Sequence, residues 1–337
     1  MPSDLFEDVS GVGCLRWNPD RDGRRVSNFG DLLGPRIVEA LVRRRPAAAD
    51  PAPAFRGRLL TVGSVLHFAT AGDVVWGSGL NGKVATELPA VLDVRALRGP
   101  FTRCAVLAAG LDAPAVHGDP ALLAAELWPE LRPASGGPDR GPIAVPNLHE
   151  IERFDEAVRV SPIGDPFEVM REIAGAEFVT GSSLHGVILA DAFGIPSRPV
   201  RSEVEHPFKY VDYYASTGRY NVEFASSFEH ALELGPVPVP EIDLDALVRA
   251  FPADLWTHDG QPAPESSPAG GRGGPDEAGE ALGRLRERIG GRPTPEESVS
   301  LALLEERLRE ASARPPAGPL AEARPPATPE RPGYAGP

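Results

Sequence analysis

The chain has 337 residues, 24% of them charged and 42% hydrophobic, with a formal net charge of −14. That acidic balance argues against a nucleic-acid protein, because phosphate binding rests on clustered Lys and Arg. Cys14 and Cys104 cannot build a disulfide framework, no Cys-x-x-Cys spacing offers a metal site, and no apolar run reaches the ~18 residues of a bilayer span. The start MPSDLFEDVSG lacks the basic-then-apolar order of a signal peptide. A cytoplasmic protein with no transmembrane segment, no metal and no cofactor is expected. Lys is nearly absent, and almost every cation is Arg.

At roughly 150 residues per domain the length allows two domains with chain left over. Along the first region, Val12 to Trp17 reads as a strand, and Asn28-Phe29-Gly30-Asp31 opens a helix through about Val42. Leu59 to Val62, Asp73 to Trp76 and Val91 to Ala96 are strand-like apolar runs, followed by a helix from Pro100 to about Ala109. Arg132 to Pro142 (RPASGGPDRGP) is a Pro/Gly-rich break. The style then repeats, with strands at Ile143–Pro146, Ala157–Val160, Phe178–Thr180 and Pro199–Val200, and helices over Pro166–Ala174 and Leu184–Phe193. Apolar strands alternating with helices indicate parallel sheets covered on both faces. The expected fold is α/β, with two Rossmann-like domains facing a cleft, at 1–135 and 136–257. Beyond Trp256 the run QPAPESSPAGGRGGPDEAGE cannot bury a core, so 258–337 is expected to be a disordered tail. Leucines at 301, 303, 304 and 308 suggest one helix there, over 295–313, either solitary or docked on the body or a partner.

Three motifs stand where such sheets bind ligands, outside the carboxyl ends of strands. Gly77-Ser78-Gly79-Leu80-Asn81-Gly82 spells Gly-x-Gly-x-x-Gly, but Pro89 interrupts only seven residues after Gly82, too soon for the long helix of a dinucleotide fingerprint. These glycines are expected to permit a close backbone approach, to a ligand or to the opposing domain. Asn28 to Asp31 places capping residues and free N–H groups at a helix start, either as an ordinary cap or as an anion site. Ser182-Ser183-Leu184-His185-Gly186 follows a strand and opens an apolar helix, which aims His185 at the cleft as a candidate acid or base.

These segments, together with Arg95-Ala96-Leu97-Arg98-Gly99-Pro100, Gly118-Asp119-Pro120, Ala190-Asp191-Ala192-Phe193-Gly194-Ile195-Pro196 and Lys209-Tyr210-Val211-Asp212-Tyr213-Tyr214, occur in one order. In that order, from about Leu15 to Ala215, the chain resembles the polysaccharide pyruvyl transferase family. The resemblance implies a fold like the GT-B glycosyltransferases. It also implies transfer of pyruvate from phosphoenolpyruvate, as co-substrate, onto a sugar diol as a ketal. His185 matches the histidine of the family's Leu-His-Gly motif, which makes it the expected general acid/base, with Asp31 assisting.

Phosphoenolpyruvate carries a phosphate and a carboxylate, so its site needs cations and helix N-termini. Arg98, Arg201 and Lys209 are candidates, with Arg98 as a bidentate clamp. Asn28, Gly30, Gly77, Ser78, Gly79 and Ser183 complete the expected substrate-binding set. Many family members carry Arg where this chain has Ser183, so Arg98 or Arg201 is expected to take the phosphate instead. Two other readings stand beside this one. They are a GT-B-type glycosyltransferase using a nucleotide sugar, and a catalytically silent scaffold that contacts a partner or a second copy through the tail helix.

Overall fold

The computed structural model describes residues 5–17, 20–21, 24–25, 28–45, 57–83, 87–240, 242–257 and 274–313. The chain opens with β1 (Phe6–Val9) and β2 (Val12–Leu15), an antiparallel hairpin, followed by the two-residue strands β3 (Asp20–Arg21) and β4 (Arg24–Arg25). Helix α1 (Phe29–Arg43) leads to β5 (Gly57–Leu60), β6 (Val74–Trp76) and β7 (Asp93–Ala96). These form one sheet in the order β1-β2-β5-β6-β7, parallel from β2 onward. Leu59, Leu60, Val74, Val75 and Trp76 are buried, as befits strands covered on both faces.

Helix α2 (Pro100–Ala108) starts with Pro at its first position, where the missing N–H costs nothing. Helix α3 (Ala124–Leu127) follows a 3₁₀ turn over Pro120–Leu123. A second sheet then forms from β8 (Ile143–Ala144), β9 (Val179–Gly181) and β10 (Ser197–Pro199), all parallel, in the order β10-β9-β8. Helix α4 (Pro166–Ala174) is capped by Asp165, whose carboxylate accepts from the Phe167 N–H at 2.7 Å. Helix α5 (Leu184–Phe193) is apolar on nearly all sides and almost wholly buried, and left-handed Gly194 (φ 72°) ends it. The expected strand over Ala157–Val160 reduces to a bridge between Arg159 and Ala144.

The rest is helical, with α6 (Phe208–Ser216), α7 (Phe228–Leu234) and α8 (Leu244–Arg249). The segment from α8 onward returns to the first sheet. Trp76 Nε1 donates to the Leu247 carbonyl and Trp256 Nε1 to the Val9 carbonyl, both at 2.9 Å. One apolar core takes Phe29, Val74 and Trp76 from the first half together with Ile143, Val179 and Ile188 from the second. The α/β class with a parallel-dominated sheet is therefore as read from the sequence. None of the described helices is long and apolar enough to cross a membrane.

The tail requires a correction. Helix α10 (Pro295–Ala313) has the expected bounds, but it is preceded by α9 (Pro275–Ile289), and neither is solitary. Both pack on α2, and α10 also packs on α6. Ala278, Leu282, Leu285, Ile289, Leu301 and Leu304 are buried there against Phe101 and Phe208. The Gly/Pro-rich composition around 258–274 concealed the short apolar stripe of α9, which repeats every three or four residues. The remaining tail segments, 258–273 and 314–337, lie outside the described residues.

Candidate active site

A cavity of about 280 Å³ opens where the loops after the strands meet. Ser64 comes from the loop after β5, Asn81 and Lys83 from the loop after β6, and Asn147 from the loop after β8. Ser183 and His185 follow β9, Glu205 and Lys209 follow β10, and the start of α1 adds Asn28 and Asp31. This is the carboxyl-end position that parallel sheets reserve for ligands. Trp17 and Phe68 stack on each other at the wall, ring centres 4.7 Å apart.

His185 sits in the first turn of α5, set by the Ser183 cap, whose Oγ accepts from the Gly186 N–H at 3.3 Å. The imidazole lies directly above Gly30, where even a methyl group would collide with Nδ1. Its Nε2 is sealed from solvent without a hydrogen-bond partner, 4.0 Å from Oδ2 of Asp119. That is too long for a hydrogen bond. Burial, reinforced by the charges of Lys209 and Arg98, lowers the His185 pKa to about 3, so the ring is neutral at pH 7.

Asp119 is fully buried and caps the 3₁₀ turn through Oδ1, which accepts from the Ala121 N–H at 3.0 Å. Its Oδ2 is likewise without a partner. Burial raises its pKa to about 6, against the opposing pull of backbone N–H groups and Arg98.

Asp31 lines the cavity itself. Burial raises it to about 7, although the Asn28 amide donates to its Oδ2 at 2.9 Å and Lys209 pulls the other way. Asn28 thus spends its side chain on Asp31 rather than on capping α1. Asp31 and His185 face each other across Gly63, each within 4.0 Å of where a Gly63 side chain would begin.

The cation set is unusual. Lys83 and Lys209 are the only two lysines in a chain with 34 Lys and Arg residues, and both line this cavity. Glu205 bridges them, its Oε2 lying 3.1 Å from Lys83 Nζ and 3.2 Å from Lys209 Nζ. Burial alone would raise the Glu205 carboxyl, but the two ammonium groups outweigh it and hold the pKa below the ordinary value. Burial pushes Lys209 down, against Glu205. An ammonium is a compact point charge on a flexible stem, unlike the planar guanidinium used elsewhere in this chain.

Of the residues expected from sequence, the structure gathers Asn28, Asp31, Ser183, His185 and Lys209 around the cavity, with Gly30 beneath the His185 ring. The others fall elsewhere. Arg98 is not an exposed clamp. It is fully buried, donating from Nε to Asp212 at 3.1 Å, from Nη1 to Ser64 Oγ at 2.5 Å and from Nη2 to the Leu80 carbonyl at 2.7 Å. Arg201 is half exposed and paired with Glu296 of α10, outside the cavity wall. Gly77, Ser78 and Gly79 make close approaches, as expected, but to their own chain. Gly77 (φ 84°) admits Pro120, Gly79 admits the Arg98 guanidinium, and Ser78 Oγ donates to the Gly63 carbonyl at 3.1 Å.

Sequence reading missed Lys83 and Glu205, and quoted Asp119 only as part of a motif. The scarcity of lysine was a signal that could have singled out Lys83 beside Lys209. Glu205 stands four residues before Lys209, a local pairing, but its bridging role comes from Lys83, more than a hundred positions away.

Comparison with known proteins adds the following. The family described as polysaccharide pyruvyl transferase matches residues 62–203. The succinoglycan biosynthesis protein ExoV of Rhizobium meliloti (strain 1021) is 28% identical over 212 residues, covering 57% of this chain and 62% of that protein. No solved structure matches. The segments Asn28–Asp31 and Lys209–Tyr214 lie outside the residues matched by the family. Over residues 62–203, which carry Gly77, Arg98, Asp119 and His185, the likeness to the polysaccharide pyruvyl transferase family is established.

Proposed function

We propose that this chain transfers pyruvate from phosphoenolpyruvate onto a sugar diol of a cell-envelope or exopolysaccharide precursor, forming a ketal and releasing phosphate. In this reading the two sheets correspond to the two Rossmann-like halves of a GT-B-like enzyme. One observation carries the proposal. A single cavity holds the chain's two lysines beside two buried titratable groups shifted in opposite directions, Asp31 up and His185 down. Such divergent shifts are how one site supplies both an acid and a base near neutrality.

The roles follow from those protonation states. Asp31 retains a proton near pH 7 and donates it to the methylene carbon of the enol phosphate. Neutral His185 takes the proton of the first sugar hydroxyl as it attacks the resulting electron-poor carbon. The imidazolium then protonates the departing phosphate, and the second hydroxyl closes the ketal, returning its proton to Asp31. Two hydroxyl protons, one methyl proton and one phosphate proton balance. Lys83 and Lys209, currently neutralised by Glu205, supply the positive charge for the donor's phosphate and carboxylate, and the N-terminus of α5 adds its N–H groups. They stand in for the arginine that Ser183 replaces. This revises the expectation that Arg98 or Arg201 takes the phosphate, and it makes Asp31 the proton donor in its own right where it was expected only to assist His185.

The test is phosphate release from phosphoenolpyruvate with a panel of lipid-linked and nucleotide-linked sugars. His185→Ala should reduce turnover by about 10²–10⁴-fold with an unchanged melting temperature. Nucleoside diphosphate released from a nucleotide sugar, with no phosphate released from phosphoenolpyruvate, would replace the proposal with glycosyl transfer.

A further inference from the structure

The mechanism above gives no role to Asp119 or to the Nε2 atom of His185. Asp119 Oδ2 and His185 Nε2 are each sealed from solvent, each without a hydrogen-bond partner, and lie 4.0 Å apart. Two buried polar atoms left unpaired side by side are costly to the fold, because each has given up its water without gaining a partner. Such a gap calls for an explanation.

Everything around Asp119 holds its carboxylate in that orientation. Its Oδ1 is committed to the Ala121 N–H, and Pro120 fixes the following backbone. Gly77 has no side chain to obstruct the loop, because a Cβ there would strike Pro120 and the Gly118 carbonyl. On the other side of the ring, Gly30 lets Nδ1 approach α1 at the cavity wall. The imidazole is thus presented with one nitrogen toward a buried carboxylate and the other toward α1 and the cavity.

We propose that Asp119 is the positioning residue of His185. Resting on the pyruvyl-transfer reading, it accepts a hydrogen bond from Nε2–H, so that the ring keeps its lone pair on Nδ1 for the acceptor hydroxyl. Closing the present 4.0 Å needs a shift of about 1 Å, the tightening expected of catalytic hydrogen bonds as substrate binds and the ring gains a proton. A carboxylate that fixes tautomer and orientation without itself being protonated is the logic of the serine-protease triad, here with the two ring nitrogens exchanged.

Asp119→Asn in the full-length protein is the test. Asparagine caps a helical turn as well as aspartate, so Oδ1 stays with Ala121 and the amide NH₂ faces His185. Nitrogen-15 NMR of the labelled ring should then move from the Nε2–H to the Nδ1–H tautomer, with the melting temperature within a few degrees of wild type. Turnover of phosphoenolpyruvate should fall by about 10²–10⁴-fold while its KM stays within twofold. An unchanged tautomer, or a loss that appears only in KM, overturns the proposal, and Asp119→Ala, with no group to contact Nε2, must show the same kinetic loss. A tautomer switch in a protein that never turns over phosphoenolpyruvate supports the Asp119–His185 pair and rejects the pyruvyl-transfer reading instead.

Discussion

Two of the buried ionic networks among the described residues are built from side chains that looked alike in sequence. Arg98 and Asp212 close on themselves. The guanidinium also takes Ser64 and Leu80, while Asp212 accepts from the Thr102 N–H at 2.9 Å and from its hydroxyl at 2.7 Å. Both residues are completely buried, and together they bind α6 and α2 to the first sheet. The cavity network is left open. His185 and Asp119 keep unmatched atoms, and Lys83 and Lys209 share a single carboxylate. A saturated network has no capacity left for a ligand and does structural work, whereas an incomplete one keeps charge and donors available. Placement of a cation at a strand end is therefore insufficient to identify an anion clamp. What decides is whether its donors are already occupied.

The comparison can be broken at its structural side first. Helices α9 and α10 cover the α2 face that the Arg98 node helps to anchor. Ending the chain after Gly274 would uncover the apolar contacts of Leu282, Leu285, Ile289, Leu301 and Leu304, each worth roughly 1.5–3 kcal/mol when fully buried. That total is comparable to the whole margin of a typical domain, so the truncated protein should melt far below wild type or without cooperativity. A cooperative melt near wild type would show that the two helices are ornamental.

The two networks should next respond differently to the same kind of cut. Arg98→Ala leaves Asp212 as a buried unpaired charge and should cost about 3–5 kcal/mol of stability, read by denaturant titration. Lys209→Ala should leave the denaturant midpoint nearly unchanged and weaken phosphoenolpyruvate binding about 10- to 100-fold, the scale of a charge-assisted hydrogen bond. If both variants lose stability equally while donor affinity holds, the division between closed and open networks is wrong.

The smallest effect is on the pH dependence of melting, and it separates the two titrating groups. Asp31 is raised from 3.8 to about 7 in the fold, so its favourable contribution is complete below pH 4 and lost as pH rises toward 7. Asp31→Asn should thus raise the melting temperature relative to wild type at pH 8 and leave it similar at pH 4. His185 is lowered from 6.5 to about 3, so its contribution is complete above pH 6.5 and lost as pH falls toward 3. His185→Gln should help at pH 4 to 5 and not at pH 8. Differences of a few degrees in these opposite windows are expected, and a parallel shift of both variants at every pH would refute the assignment.

Much of the architecture was legible because it is written in local patterns. The bounds of α4, α5 and α10 were read directly, since caps, proline at the first turn and periodic apolar residues act within a few positions. The strands β5, β6 and β7 showed as apolar runs for the same reason. Helix α9 was obscured by the Gly/Pro-rich sequence before it, although its stripe was present.

By itself, then, the sequence determined the α/β class, the order of most elements, the placement of His185 at a helix start after a strand, and the resemblance that raised the family. Tertiary structure alone decided which charged residues are free to meet a ligand. Arg98 and Lys209 are both cations in quoted motifs, yet one is consumed by a carboxylate 114 positions away and the other faces the cavity beside Glu205. Asp119 comes near His185 across 66 residues, on a segment that Gly77 lets pack close. Spacing along a chain encodes caps and periodicity, because those forces act over one or two turns. Burial, the pairing of charges and the shift of a pKa depend on neighbours brought from distant positions, which the chain acquires only by folding.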